Sequence, residues 1–161
     1  MVKITPILVS LFVLAGSVPA SAQSLTLNRV KSLLTELGLK PVMSTDEMVT
    51  LEARGRHKVD IDITLVNDKT GISIYSSWKI PPDKAAAIPL VAMLKANNNA
   101  QFAFAIYGED GNLSFDLEKN FDAALVSKAM LSKSVEELLA TVDRQEPLWN
   151  MDNWTAAPGG R

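Results

Sequence analysis

The chain has 161 residues, with 16 Lys and Arg against 18 Asp and Glu, one histidine and no cysteine. No cysteine means no disulfide framework, no lipidated cysteine and no thiolate zinc site, and a lone histidine excludes a multi-histidine metal centre. The mild acidity lacks the basic face that wholesale nucleic-acid binding requires.

The first 22 residues read as a cleavable signal peptide. Lys3 is a short basic n-region, residues 7–15 form an apolar core, and Ala20-Ser21-Ala22 has the small-x-small form of a signal peptidase site. The apolar run is interrupted by Ser10 and Gly16 and is far shorter than the ~20 residues of a bilayer-spanning helix. Cleavage near Ala22/Gln23 would leave an exported periplasmic or extracellular chain with no transmembrane segment, with 15 basic residues against 18 acidic ones once Lys3 is removed. Residues 23–149 are long enough to bury a core unaided and read as one α+β domain, and residues 150–161 as a C-terminal tail.

Leu27, Val30, Leu33, Leu34 and Leu37 recur at three and four, the stripe of an amphipathic helix over about 26–37, with Gly38 ending it in the left-handed conformation. Leu39 and Pro41 make an extended exit. From Met48 the period becomes two. Val49, Leu51 and Ala53 alternate with polar residues, Arg54-Gly55-Arg56 turns the chain, and Val59, Ile61, Ile63 and Leu65 alternate with Asp60, Asp62 and Thr64. After a second turn at residues 67–71, Ile72, Ile74, Ser76, Trp78 and Ile80 complete a three-stranded antiparallel meander over 48–80.

Pro81 and Pro82 stop the third strand, and residues 84–96 predict a second helix with Asp83 as N-cap, kinked or begun anew at Pro89. Ile88, Leu90, Val91, Met93 and Leu94 make it apolar on nearly all sides, which requires cover on both faces: the sheet on one and another subunit or partner on the other. Asn97 to Asn99 form the exit from this helix. Phe102, Phe104 and Ile106, then Leu113, Phe115 and Leu117, predict a second hairpin turning at residues 108–111. A last helix starts with Ser127 as N-cap and points Leu131, Val135, Leu138, Leu139 and Val142 inward, with Ser134 and Glu137 offering an alternative capping-box start.

The resulting order, α-β-β-β-α-β-β-α with an antiparallel sheet packed against helices, resembles the type III secretion chaperone-like fold that YbjN-like proteins share. The landmarks are Leu94-Lys95-Ala96-Asn97-Asn98 at the end of helix two, the hairpin from Phe102 to Leu117, and Glu146-Pro147-Leu148-Trp149 after helix three. They look like an exported bacterial branch of that superfamily over about residues 26–149. The resemblance implies a non-enzymatic binding fold, often a homodimer, whose chaperone members hold an extended segment of a protein partner along exposed apolar surface. It brings no catalytic residue and no cofactor. Those chaperones act in the cytosol; the export signal sets this chain apart from them.

Two surfaces are candidates for contact. The first is a protein interface of Ile88, Leu90, Val91, Met93 and Leu94 on helix two with Trp149 and Trp154 in the tail, since Trp often anchors interfaces; the other reading of these two rings is that they fold back onto this domain or its dimer mate. The second is the basic turn of Arg54, Arg56, His57 and Lys58 around Gly55, which could hold a phosphate or another anion in an envelope sensor. A third reading, a hydrolase built on Asp60 and Asp62, rests only on their shared strand face. His57 has no G-x-S-x-G nucleophile motif to serve, and Asp110-Gly111-Asn112 lacks the ligand spacing of a calcium loop.

Overall fold

The computed structural model describes residues 25–66, 69–98, 100–109 and 112–155. The signal segment, residues 67–68 of the 67–71 turn, Asn99, the Asp110-Gly111 pair and residues 156–161 of the tail lie outside the described residues.

Helix α1, Leu27–Glu36, begins at Thr26, whose hydroxyl accepts the Arg29 N–H at 3.2 Å. It ends in a Schellman motif around Gly38, at φ 78°, with Leu39 N–H donating to Leu34 C=O at 3.0 Å and Gly38 N–H to Thr35 C=O at 2.9 Å. The extended exit is a short strand, β1, Pro41–Ser44, and the meander follows as β2, Met48–Arg54, β3, Lys58–Val66, and β4, Gly71–Ile80. A 3-10 turn, Pro82–Ala87, leads to α2, Leu90–Asn97, and then come β5, Ala103–Glu109, and β6, Asn112–Asp122. A second 3-10 turn, Ala123–Leu125, precedes α3, Lys128–Arg144, which is capped by the Ser127 hydroxyl as predicted. The chain closes with a helical turn, α4, Glu146–Trp149, and a 3-10 turn, Met151–Asn153.

All six strands are antiparallel, in the order β1-β2-β3-β4-β6-β5. Period-two alternation sends Val49, Leu51, Ile61, Ile63, Ile72, Ile74, Phe115 and Leu117 to one face, where all are buried. The stripe of α1 (Leu27, Val30, Leu33, Leu34) and that of α3 (Leu131, Val135, Leu138, Val142) close over this face, and the two helices touch. The α+β architecture therefore stands, with one more edge strand than the periodicity revealed.

The predicted helix over 84–96 is divided. Proline has no N–H, and its ring crowds the carbonyl of residue i−4, so no helix of that length passes through Pro89. The chain makes the 3-10 turn first, with no capping bond from Asp83, and starts α2 afresh after Pro89. Residues 150–154 are also no free tail: the described part packs onto the domain through Trp154, which is only 5% exposed.

Candidate functional site

The eight residues of α2 divide sharply by exposure. Met93 points into the core at 2%, whereas Leu90, Val91 and Leu94 are 50, 67 and 65% exposed. The all-round apolarity read from the sequence thus resolves into one buried side chain and an uncovered outer face. Met93 is core and leaves the interface candidates; Ile88 packs partly against the core. The helix is pinned to its neighbouring strand by Asn97. Its side-chain amide donates to the Phe104 carbonyl at 2.9 Å, and its side-chain oxygen accepts the Phe104 N–H at 2.7 Å. Phe104 lies on the sheet's edge strand, so this amide takes the place of a further strand at that residue. Asn97 is thus a structural residue rather than a mere exit. Ile106, two residues on, is also exposed although it shares a face with Phe104, because alternation identifies a face but not where the cover over that face ends.

The two tail tryptophans are corrected from interface candidates to internal fasteners. Trp149 stacks on Trp78 at 5.4 Å between ring centroids, Trp78 stacks on Phe115 at 5.2 Å, and Trp154 lies 5.8 Å from Phe115. Both indole N–H groups are committed: Trp149 donates to the Val142 carbonyl at 2.7 Å and Trp154 to the Leu148 carbonyl at 2.8 Å. A helix leaves its last four carbonyls without intrahelical partners. At the end of α3, Gln145 N–H takes that of Thr141, Trp149 takes that of Val142, and the Arg56 guanidinium takes that of Asp143.

The Arg56 contact decides the fate of the basic turn. The Arg56 N–H lies 3.1 and 3.0 Å from the two carboxylate oxygens of Asp143, and the His57 N–H lies 3.4 Å from one of them. A Cβ on Gly55 would stand 2.6 Å from Asp143 Oδ2, closer than real Cβ contacts come. Glycine is there so that this carboxylate can approach the backbone. The turn does hold an anion, but an internal one from α3, and the guanidinium sits at the negative end of the helix dipole. His57 is equally engaged. Its Nε2 is 3.3 Å from a Glu146 carboxylate oxygen, and its ring meets Trp149 edge-on at 5.0 Å, so it is not a solvated hairpin residue. Lys58 pairs with Glu52. Arg56 and His57 therefore clasp β2–β3 to the end of α3; of the four candidates, Arg54 is exposed at the strand end.

Asp60 and Asp62 share a strand face, as predicted, but not an environment. Asp60 is exposed, while half-buried Asp62 accepts the Thr50 hydroxyl at 2.6 Å. Burial pushes the Asp62 carboxyl above its ordinary range, the Thr50 bond opposes that, and neighbouring Asp60 adds to it. Among the described residues no group of three or more His, Cys, Asp or Glu is arranged to hold a metal ion, and no helix is long and apolar enough to cross a membrane.

No protein-family profile matches this sequence, and the search of curated proteins returned no match. Solved structures do match. YbjN from E. coli, described as a proposed transcription regulator, superposes with a TM-score of 0.55 at 17% identity, over 76% of this chain and 95% of its own. A protein from Methanothermobacter thermautotrophicus gives 0.52 at 17% identity, over 80% and 97%. A chain of the ExsC–ExsE complex gives 0.52 at 15% identity, over 77% and 96%. At such identities what is shared is the fold. The chain has the YbjN-like, type III secretion chaperone-like fold that its element order and landmarks implied.

Proposed function

We propose that this protein is an exported, non-catalytic binding module of the bacterial periplasm or cell envelope that engages a protein or peptide through the outer face of α2. The observation that carries the reading is the exposure of Leu90, Val91 and Leu94 on a helix whose inner side is anchored by Met93 and Asn97. Export rests on the residue 1–22 pattern, and protein binding is supported by the fold shared with a member of the ExsC–ExsE complex. The mild net acidity favours a protein partner over nucleic acid.

Magnitudes bound the partner. Completing the burial of three side chains that are already one-third to one-half covered contributes about 1 kcal/mol each. Association costs at least ~4 kcal/mol in lost translational and rotational freedom. Those three residues cannot hold a complex alone, so the partner must extend beyond α2; Ile106 is a further exposed apolar residue on β5, the strand that α2 packs against. A second copy of the chain and an extended segment of another protein both meet this requirement.

The test is affinity capture from the source bacterium's envelope fraction, run beside light scattering of the purified protein, with Val91→Glu plus Leu94→Glu as the paired variant. The reading expects one captured protein, or a concentration-dependent dimer, that the double variant abolishes without lowering its melting temperature. Identical behaviour of both proteins would overturn it, as would a chain recovered only from the cytosol.

A further inference from the structure

The sheet face turned away from α1 and α3 carries the other half of the alternation, and it is shaped. Thr64, Ser73, Tyr75, Tyr107, Asp116 and Glu118 border a groove of about 360 Å³, near the small end of the ~300–1,000 Å³ usual for ligand sites. No lining residue is basic. Asp116 is only 9% exposed, and its Oδ1 is buried without a hydrogen-bond partner. A buried carboxylate oxygen left unpaired is costly, and natural sites retain one where something else completes it.

We infer that this groove binds a primary ammonium or guanidinium group, held by the paired carboxylates of Asp116 and Glu118 that border it. The same chemistry is offered by a small free polyamine and by a lysine or arginine side chain of another protein. The acceptor oxygens left over after internal bonding fit an organic cation better than a metal ion. Glu118 already accepts the Tyr107 hydroxyl at 2.7 Å through one oxygen, which leaves one oxygen each on Asp116 and Glu118 rather than the multidentate cage a metal needs. The phenol rings of Tyr75 and Tyr107 border the same groove, and aromatic faces attract ammonium and guanidinium groups.

The electrostatics agree with the geometry. Burial raises the Asp116 carboxyl above its ordinary range, the Ser77 hydroxyl bond opposes this, and Glu118 and Asp62 add to it. Hydrogen bonding to Glu118, then burial, pushes the Tyr107 phenol up to about 12. Carboxylates that raise one another's affinity for protons also raise the affinity of the groove for a cation. This site is separate from the α2 face and stands or falls independently of it.

The test is isothermal titration of the purified protein with spermidine and, separately, with a short end-blocked lysine peptide. The inference expects saturable binding of at least one probe, weakened about tenfold or more by Asp116→Asn and by Glu118→Gln, the loss of one charge-assisted hydrogen bond. Asp83→Asn, which removes an exposed carboxylate outside the groove, should leave affinity unchanged. Preference for spermidine supports the site with a free amine as its ligand; preference for the peptide supports it with a protein side chain. No binding of either probe overturns the inference. So does equal weakening by Asp83→Asn and Asp116→Asn, which would mean diffuse attraction to an acidic surface. Glu118 lines the open groove, so Glu118→Gln serves as the second variant should Asp116→Asn fail to fold.

Discussion

Replacing Gly55 with alanine should destabilise the protein only as long as Asp143 is present. The new Cβ would stand 2.6 Å from Asp143 Oδ2 and 3.2 Å from Oδ1 and Cγ. To restore ordinary contact the carboxylate must retreat by roughly 0.8 Å, which carries its bonds to the Arg56 N–H, now 3.0 and 3.1 Å, out of hydrogen-bonding range. Hydrogen bonds to a charged acceptor contribute ~1.5–3 kcal/mol, and the exposed setting of Arg56 puts this one at the lower end. The expected loss is therefore about 2 kcal/mol, or a melting temperature about 5–10 °C lower. The glycine itself does not require a left-handed backbone, since among the described residues only Gly38 has a positive-φ glycine conformation. In an Asp143→Ala background, Gly55→Ala should thus be neutral, or stabilise by up to ~1 kcal/mol by restricting the unfolded chain. Urea denaturation of the four proteins in this double-mutant cycle should give a coupling of about 2 kcal/mol. Additive losses, with Gly55→Ala equally harmful in both backgrounds, would refute the carboxylate clasp.

Trp149→Phe keeps a ring against Trp78 but loses the bond to the Val142 carbonyl, so chemical denaturation should show a loss of about 1 kcal/mol, against ~3 kcal/mol or more for Trp149→Ala. Asn97→Ala leaves the edge-facing groups of Phe104 without their side-chain partners; hydrogen exchange at the Phe104 amide should accelerate, and stability should fall by ~1–2 kcal/mol. Asp116→Asn should raise the melting temperature at pH 7. The folded-state pKa of Asp116 lies above its ordinary value of 3.8, so the charged form is penalised on folding and the stability carried by the protonated form fades as pH rises through the folded pKa. Below the unfolded pKa both states carry the proton, and the advantage of Asn in a pH series of melts should disappear.

Much of the scaffold was legible because its signals are local. The three-and-four repeat of Leu27 to Leu37, Gly38, the alternations of β2 to β4 and the Ser127 cap each depend on neighbours a few residues away, and each appears where the pattern placed it. The candidate site was legible only in part, because exposure is a long-range property. Nothing near Arg56 in sequence announces Asp143, which reaches it from 87 residues further along the chain. Likewise, the apolar run of α2 could not say which residue faced the core; Met93 does, and Leu90, Val91 and Leu94 face outward. The tail tryptophans carried the right chemistry, an apolar body needing cover, but the cover proved to be Trp78, Phe115 and the end of α3. Asp116 carries no signal in the alternating strand that holds it, and only the packing of the sheet face reveals it as buried with an oxygen unpaired.

The central claim is that the outer face of α2 meets a partner. A photoreactive amino acid placed at Val91 tests it directly when compared with one at Glu136, which is exposed on α3. On irradiation in the source cells, the account predicts a discrete crosslinked product from position 91, either a second copy or one other protein, and none from position 136. No product from position 91, or indistinguishable smears from both positions, would contradict it.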